Sequence, residues 1–287
     1  MADELAITLA DPALEASVAR GMAAVAERLE GAVASDEPWV EGAAAHLLRA
    51  GGKRLRPLLT LLAAHLGDGV NPAVVDGAAV VELTHLASLY HDDVMDDAPM
   101  RRGSPSAHEV YGPTVAILTG DLLFARASQI VSGLGPEIVR LQAETFERLC
   151  LGQIHETTGP GPGDDPVAFH LGVLADKTGA LIATSARFGA MLGGAPPAAA
   201  QAAAAYAEAV GVAFQLADDI IDLTSPASVT GKTPGTDLRE GVPTMPQLLV
   251  EAAARRDLAA GRTDSADVAL AEAIGGDLSS DAALAEV

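Results

Sequence analysis

Two short stretches carry paired carboxylates on otherwise apolar helices: Leu89-Tyr-His-Asp-Asp-Val-Met-Asp-Asp97 and Phe214-Gln-Leu-Ala-Asp-Asp-Ile-Ile-Asp222. Each contains the pattern D-D-x-x-D. Helix residues four positions apart project from nearly the same face. The resulting pairs are Asp92 with Asp96 and Asp218 with Asp222. One such motif in an acidic protein is typical of a solvated helix face. Two copies with apolar flanks indicate cation sites, because stacked buried carboxylates repel one another unless a cation compensates.

The sequence around these motifs predicts an all-α protein. Ala and Leu favour helix, aromatic residues make up only 3% of the chain, and alternating strand patterns are absent. With no repeat and no linker, we expect a single domain over residues 1–287, a bundle of roughly ten or more helices. The predicted helices cover residues 13–34, 40–50, 56–66, 73–97, 114–132, 137–157, 167–193, 198–224 and 245–260. A Gly/Pro/Thr-rich loop is predicted over 225–244, where its length suggests a functional role.

Composition excludes several classes of protein. Acidic residues number 39 against 18 basic ones, and the net charge of −21 disfavours nucleic acid as a partner. A single cysteine, Cys150, rules out an intrachain disulfide and fits a reducing, cytoplasmic location. The acidic start, Met1-Ala-Asp-Glu-Leu5, is unlike a signal peptide. Charged residues interrupt every long apolar run, so no membrane span is predicted.

The chemistry of the aspartates and of the few basic residues points to a diphosphate. Oxygen ligands without His or Cys favour Mg²⁺, which is typically held by one or two carboxylates together with substrate phosphates. Basic residues concentrate in Gly51-Gly-Lys-Arg-Leu-Arg-Pro57 and Met100-Arg-Arg-Gly103. The first segment is expected to place Lys53, Arg54 and Arg56 at a helix N-terminus, where anions bind favourably.

Taken together and in this order, these segments resemble the trans-isoprenyl (polyprenyl) diphosphate synthase family, and the likeness runs from about residue 40 to 250. Further matching landmarks are His85, Lys177-Thr178, Gly231-Lys232 and Gly235-Thr-Asp-Leu-Arg-Glu-Gly241. The resemblance implies an isoprenoid synthase-like bundle around a deep central cavity. It also implies a homodimer and a condensation of an allylic diphosphate with isopentenyl diphosphate, aided by several Mg²⁺ ions.

The resemblance also implies roles for individual residues. Isopentenyl diphosphate would be held by Lys53, Arg56, His85 and Arg102. The allylic diphosphate would be held by Arg101, Lys177, Thr178, Gln215 and Lys232. The metal ligands would be Asp92, Asp96, Asp218 and Asp222, and the catalytic set also includes Asp93, Asp219, Lys177 and Lys232.

Two departures from the family pattern stand out. Gly241 is followed by Val242-Pro-Thr244, where the family often has a lysine. The sequence ends at Val287, so it is expected to lack the family's usual C-terminal helices.

The resemblance predicts a long product. In the family the growing chain runs along the helix of the first aspartate motif, and the residues four and five before that motif act as its floor. Here these are Ser88 and Ala87, which are small, and Thr84 and Val81 follow on the same side. A pocket continuing for several turns predicts a long-chain all-trans product, with geranylgeranyl diphosphate as the alternative. The facing floor is expected at Leu123 or Phe124.

Two other functions remain open from the sequence. A class I terpene cyclase would share the first aspartate motif, but it would hold one diphosphate and need no basic Gly51–Pro57 segment. A non-catalytic subunit of a heteromeric synthase would tolerate loss of an aspartate motif, whereas both motifs are intact here. Dependence of diphosphate release on isopentenyl diphosphate, and activity of the chain alone, separate these alternatives.

Overall fold

A computed structural model of the chain describes residues 9–224, 235, 238–239, 241–278, 280 and 283–284. These residues are mostly helical and their one sheet is a two-stranded hairpin, which confirms the predicted all-α class. The helices are α1 (Pro12–Val33), α2 (Pro38–Arg49), α3 (Leu55–Ala64), α4 (Pro72–Met95), α5 (Ala107–Tyr111), α6 (Pro113–Val131), α7 (Pro136–Thr158), α8 (Pro166–Leu174), α9 (Ala180–Leu192), α10 (Pro197–Thr224), α11 (Met245–Ala259) and α12 (Ala266–Ile274). A 3-10 turn at Ser132–Leu134, a π-helix at Ala175–Gly179 and a two-stranded hairpin complete the described elements.

The structure differs from the predicted helices in three places. The helix expected over 167–193 is divided by the π-helix at Ala175–Gly179. Helices α5 and α12 were not predicted, and the first is only five residues long. Most of the loop predicted over 225–244 lies outside the described residues.

The chain forms two compact units. The first consists of Met1–Leu149 with Ala180–Glu208, and the second of Cys150–Gly179 with Ala209–Val287. Helices α7 and α10 contribute residues to both units. That residues 1–287 act together as a single domain stays a prediction.

Helix α4 is the main core element of the first unit and packs against α6, α3, α9 and α1. Its start is fixed by Asn71, whose side chain accepts a hydrogen bond from the Val74 N–H at 3.0 Å, and by Pro72 in the first turn. Buried residues lie on all its faces, as expected for a helix inside a bundle. Tyr90 reaches α2, where its hydroxyl donates to the Ala43 carbonyl at 2.5 Å.

Two helical segments, Pro72–Met95 and Pro113–Leu134, are long and apolar enough to cross a membrane by length and composition alone. This is weak evidence, since the core helix of a soluble protein passes the same test. The most hydrophobic part of the first segment is 67% buried within the structure.

Close packing of α3 against α9 depends on Gly189. A Cβ atom added at this position would lie 1.9 Å from the Thr60 carbonyl oxygen, and backbone cannot move aside as a flexible side chain can. The absence of a side chain therefore sets the distance between these two helices.

We expect Gly189→Ala to lower the free energy of unfolding by about 2–3 kcal/mol, since overpacking a core typically costs 1–3 kcal/mol. The matched control is Gly31→Ala in α1, where an added Cβ meets nothing within 4 Å. That change should be neutral or stabilise by up to about 1 kcal/mol, because alanine loses less backbone entropy in a helix. Chemical denaturation measures both. Equal effects would contradict this account of the α3–α9 contact.

Candidate active site

Two tight turns in the first unit bring a pair of arginines to the face of α4. Gly51 and Gly52 have φ of 96° and 131°, values that side chains disfavour. A Cβ atom added at Gly52 would lie 2.8 Å from the Arg102 guanidinium carbon. The glycine thus leaves room for Arg102, whose Nη1 donates to the Leu47 carbonyl at 3.1 Å and to the Gly51 carbonyl.

The second turn is a hairpin that presents Arg101 and Arg102. Strand β1 (Met100–Arg101) pairs antiparallel with β2 (Ser104–Pro105). Arg102 and Gly103 between the strands both have positive φ, 54° and 75°, as in a type I′ turn. This short hairpin directs the two consecutive arginines to different partners.

A buried carboxylate, Glu82, holds the arginine cluster together. The residue is 1% exposed, and its Oε1 accepts a hydrogen bond from Arg54 Nη1 at 3.3 Å. Arg102 Nη2 lies 3.9 Å from the same oxygen. Arg54 also donates to the Leu48 carbonyl at 2.8 Å. Sequence reasoning missed Glu82 as a site residue, although a charge inside an apolar helix was a signal for it.

Arg56 and His85 belong to the same positively charged cluster. Burial lowers the pKa of Arg56 to about 10, so the side chain stays protonated at neutral pH. Its buried Nε has no hydrogen-bond partner in the structure. Burial, reinforced by the charges of Arg56 and Arg102, lowers the pKa of His85 well below its ordinary value, and the imidazole is therefore neutral. An unpaired, buried arginine donor beside a neutral histidine is suited to an anion.

The structure thus brings together most of the residues predicted for isopentenyl diphosphate, namely Arg56, His85 and Arg102. Lys53 lies exposed in the neighbouring glycine loop. Arg54 was expected at this helix N-terminus and is there, but it bonds to Glu82 and to backbone.

The three aspartates of the first motif have different environments. Asp92 is half-buried in the last turn of α4, and Asp96 is exposed at the C-cap of that helix. Asp93 is fully buried, and its Oδ1 accepts a hydrogen bond from Arg101 Nε at 2.6 Å. Burial raises the pKa of Asp93, although Arg101 opposes that shift. The middle aspartate therefore anchors Arg101, while the outer two are placed to meet a cation.

In the second motif, which lies in the second unit, the outer aspartates are again more exposed than the middle one. Asp218 is exposed and Asp222 is half-buried, whereas Asp219 is buried. The Oδ2 atom of Asp219 accepts a hydrogen bond from the Met245 N–H at 3.0 Å and lies 3.5 Å from His170 Nε2. Burial alone would raise the pKa of Asp219, but hydrogen bonds from His170, the Met245 backbone and Gln215 lower it. Asp219 joins α10 to the start of α11, and no sequence signal had indicated His170.

The π-helix of the second unit carries the predicted Lys177 and Thr178. Thr178 Oγ1 donates to Gln215 Oε1 at 3.3 Å, so two residues predicted for the allylic diphosphate are joined. Lys177 forms an ion pair with Glu156. Gly152 allows the π-helix to approach α7, since an added Cβ would lie 2.8 Å from the Lys177 nitrogen. π-Helices are frequent at functional sites because they redirect side chains. Lys232 lies outside the described residues.

The donors of both motifs are carboxylate oxygens, which fit a hard divalent cation such as Mg²⁺. Within the part of the chain that is described, no three His, Cys, Asp or Glu residues gather closely enough to hold an ion on their own.

The residues of the predicted product channel beyond Ser88 are buried. Ser88 is half-buried, whereas Ala87, Thr84 and Val81 have no exposed surface. Ala87 packs at Gly120 of α6, and Thr84 bonds to Gln142 of α7. These three residues thus pack against neighbouring helices, and the pocket expected to continue for several turns along α4 stays a prediction. Of the two facing residues proposed as a floor, Leu123 is buried and Phe124 packs on Phe146, with ring centroids 4.3 Å apart.

Comparison with known proteins supports the likeness seen in the sequence. The profile of the polyprenyl synthetase family matches residues 37–270. A nonaprenyl diphosphate synthase of Mycobacterium tuberculosis is 45% identical over 243 residues, which cover 84% of this chain and 72% of the relative. A heptaprenyl diphosphate synthase component 2 of Geobacillus stearothermophilus is 40% identical, covering 79% and 71%. A geranylgeranyl pyrophosphate synthase from Corynebacterium glutamicum, crystallised with calcium and isoprenyl diphosphate, superposes with a TM-score of 0.84 at 41% identity. That match covers 98% of this chain and 83% of the other.

The different environments of Asp92 and Asp93 predict different effects of removing their charge. Asp92→Asn should weaken Mg²⁺-dependent binding of inorganic diphosphate by about 10–100-fold, with little change in thermal stability, because a cation ligand is lost. Asp93→Asn should weaken the binding of diphosphate less, because the Asp93 carboxylate holds Arg101 and is not predicted to ligate the cation. Titration calorimetry with Mg²⁺ and inorganic diphosphate measures both. Equal losses would show that the buried aspartate ligates the cation too.

Proposed function

The chain belongs to the polyprenyl synthetase family and transfers prenyl groups. We propose that it condenses an allylic diphosphate with isopentenyl diphosphate, using Mg²⁺, to form an all-trans polyprenyl diphosphate longer than farnesyl. The observation that carries this proposal is the pocket of Arg56, His85 and Arg102. A buried guanidinium donor without a partner in a strongly acidic protein calls for an anionic ligand.

Each predicted site residue has a role in this proposal. Isopentenyl diphosphate binds to Arg56, His85 and Arg102, with Lys53 at the rim. The allylic diphosphate binds to Lys177, Thr178, Gln215 and Lys232, together with Arg101, which Asp93 orients. Asp92, Asp96, Asp218 and Asp222 would hold the cations, which would supply positive charge against the departing diphosphate.

The protein groups act by position and charge, with no protein nucleophile. The allylic C–O bond breaks as negative charge accumulates on the diphosphate, and fixed lysine and arginine groups stabilise that charge. The double bond of isopentenyl diphosphate then attacks the allylic carbon, and the proton lost from the adduct goes to the released diphosphate. Neutral His85 donates a hydrogen bond without adding charge beside the arginines. The apolar helices around the site exclude water, which would otherwise react with the allylic carbocation.

We further propose that residues 1–287 act as one catalytic domain in a cytoplasmic homodimer. The family profile spans residues of both compact units, which supports a shared function. Exposed apolar side chains on α6 and α7, namely Ile117, Leu118, Val139 and Phe146, are suited to a subunit interface. The name of the Geobacillus stearothermophilus relative makes it one component of an enzyme, so a heteromeric assembly is the alternative.

The central test is an assay of the purified chain alone with farnesyl diphosphate, labelled isopentenyl diphosphate and Mg²⁺. We expect labelled products longer than farnesyl, none after chelation of Mg²⁺, and shorter products from Ser88→Phe. Asp92→Ala and Asp218→Ala should lower turnover by about 10²–10³-fold, the effect of losing a preorganised charge-stabilising group. Diphosphate release without isopentenyl diphosphate would indicate a terpene cyclase. An inactive chain that gains activity with a partner would indicate a non-catalytic subunit.

The two diphosphate subsites should respond separately to mutation. Arg56→Ala and Lys53→Ala should raise the KM for isopentenyl diphosphate by about 10–100-fold, the range for a lost charge-assisted hydrogen bond. Lys177→Ala should raise the KM for the allylic substrate instead. The matched control, Arg20→Ala on the exposed face of α1, should change neither constant. Equal effects on both substrates in all three site variants would show that this division of the subsites is wrong.

A further inference from the structure

A chain of polar contacts in the second unit joins residues predicted for the allylic diphosphate to the second aspartate motif. Thr178 Oγ1 donates to Gln215 Oε1 at 3.3 Å, and the side chain of Gln215 also hydrogen-bonds to Asp219. A carboxylate only accepts, so the amide nitrogen of Gln215 is the donor to Asp219. At the far end of this chain, His170 Nε2 lies 3.5 Å from Asp219 Oδ2.

These contacts connect two helical segments at two points. His170 and Thr178 lie on one continuous segment, since α8 passes directly into the π-helix. Gln215 and Asp219 are four residues apart on α10 and therefore share one face of that helix. The segment that carries the π-helix is thus fastened to α10 by one contact near its end, at Thr178, and by a second contact one helix earlier, at His170.

His170 is a buried donor directed at a carboxylate. Its side chain is 13% exposed, and the buried Nε2 has no shorter hydrogen bond among the residues that the structure describes. The ring nitrogen facing an ionised carboxylate must carry the hydrogen, because the carboxylate cannot donate. The same oxygen of Asp219 accepts from the Met245 N–H at 3.0 Å. The imidazole, the aspartate and the start of α11 therefore meet at a single oxygen atom.

The position of this contact links it to the proposed chemistry. Asp219 lies on the same turn of α10 as Asp218 and Asp222, so a rotation of α10 that moves one of these carboxylates moves all three. Lys177 is carried by the π-helix on the other segment. A diphosphate that meets both the cations and Lys177 requires the two segments to keep a fixed register, and small misplacements of reacting groups are costly.

We propose that His170 is a positioning residue for the condensation. It acts through Asp219 and holds the cation ligands of α10 in register with the phosphate-binding residues of the π-helix. This inference rests on the proposed prenyl condensation and adds to it a residue that touches neither substrate nor cation.

The test compares His170→Gln with His170→Asn, which introduce the same amide group at different reach. In His170→Gln the amide nitrogen takes the place of Nε2 and can still donate to Asp219. In His170→Asn it takes the place of Nδ1 and cannot. We expect His170→Asn to weaken Mg²⁺-dependent binding of inorganic diphosphate by about 10-fold or more, the effect of losing a group that orients metal ligands. His170→Gln should stay close to the wild type. Titration calorimetry measures both affinities.

Two further measurements separate positioning from a general structural role. In the condensation assay, His170→Asn should raise the KM for the allylic substrate and leave the KM for isopentenyl diphosphate unchanged. In a double-mutant cycle with Asp219→Ala, His170→Asn should cost little more, because its effect passes through the carboxylate already removed. The matched control is His65→Asn, at an exposed histidine that ends α3 in the first unit, and it should change none of these quantities.

Several results would overturn the inference. Equal diphosphate affinities of the two His170 variants would do so, as would an equal cost of His170→Asn with and without the Asp219 carboxylate. Loss of folding in both variants, measured by thermal unfolding, would show that the histidine serves the fold and not the site. A wild type that binds diphosphate with Mg²⁺ but forms no condensation product would refute the proposed function, and the binding data would then decide this inference separately.

Discussion

The ion pairs of Glu82 with two arginines are the interaction on which the proposed anion site depends. A carboxylate inside an apolar helix is costly unless paired and hydrogen-bonded, and Arg54 and Arg102 meet that need. The pairing in turn explains the shape of the two adjoining turns. Gly52 has no side chain because Arg102 passes beside it, and Arg54 adopts a left-handed backbone with φ of 48° at the start of α3. One buried negative charge thereby fixes two arginines, Arg54 and Arg102, beside Arg56, whose buried Nε has no hydrogen-bond partner in the structure.

In both aspartate motifs, the outer aspartates and the middle aspartate have different environments. In each, the outer aspartates lie at accessible positions and the middle one is buried in a structural bond, to Arg101 or to the Met245 N–H. Helical geometry accounts for this, since the second residue of D-D-x-x-D is turned about 100° from the first. Two neighbouring aspartates cannot both face a ligand from a regular helix. The motif therefore combines two accessible carboxylates, the proposed cation ligands, with an anchor for the segment that follows.

The sequence predicted the helical class, nearly all helix positions and the clustering of arginines, because these depend on local pattern and on a resemblance that spans many landmarks. It did not predict Glu82, His170 or Glu156 as site residues. Each acts through a partner distant in the chain, such as Arg54, which lies 28 residues before Glu82. A charged residue in an apolar helix indicates that it has a partner, but the sequence does not identify which residue that partner is. The π-helix around Lys177 also escaped prediction, since its sequence continues the helical pattern on both sides.

The product pocket shows most clearly why one helix is insufficient for predicting specificity. The stripe from Asp92 to Thr84 can be read from α4 alone, and its small residues favour a long channel. Thr84 on that stripe accepts a hydrogen bond from Gln142 of α7, 58 residues away in sequence, and no periodicity encodes that contact. The same threonine that appears as a small, permissive residue on the stripe is the residue to which Gln142 bonds. A pocket floor is a property of facing helices together, so side-chain size along one helix sets only an upper limit on product length.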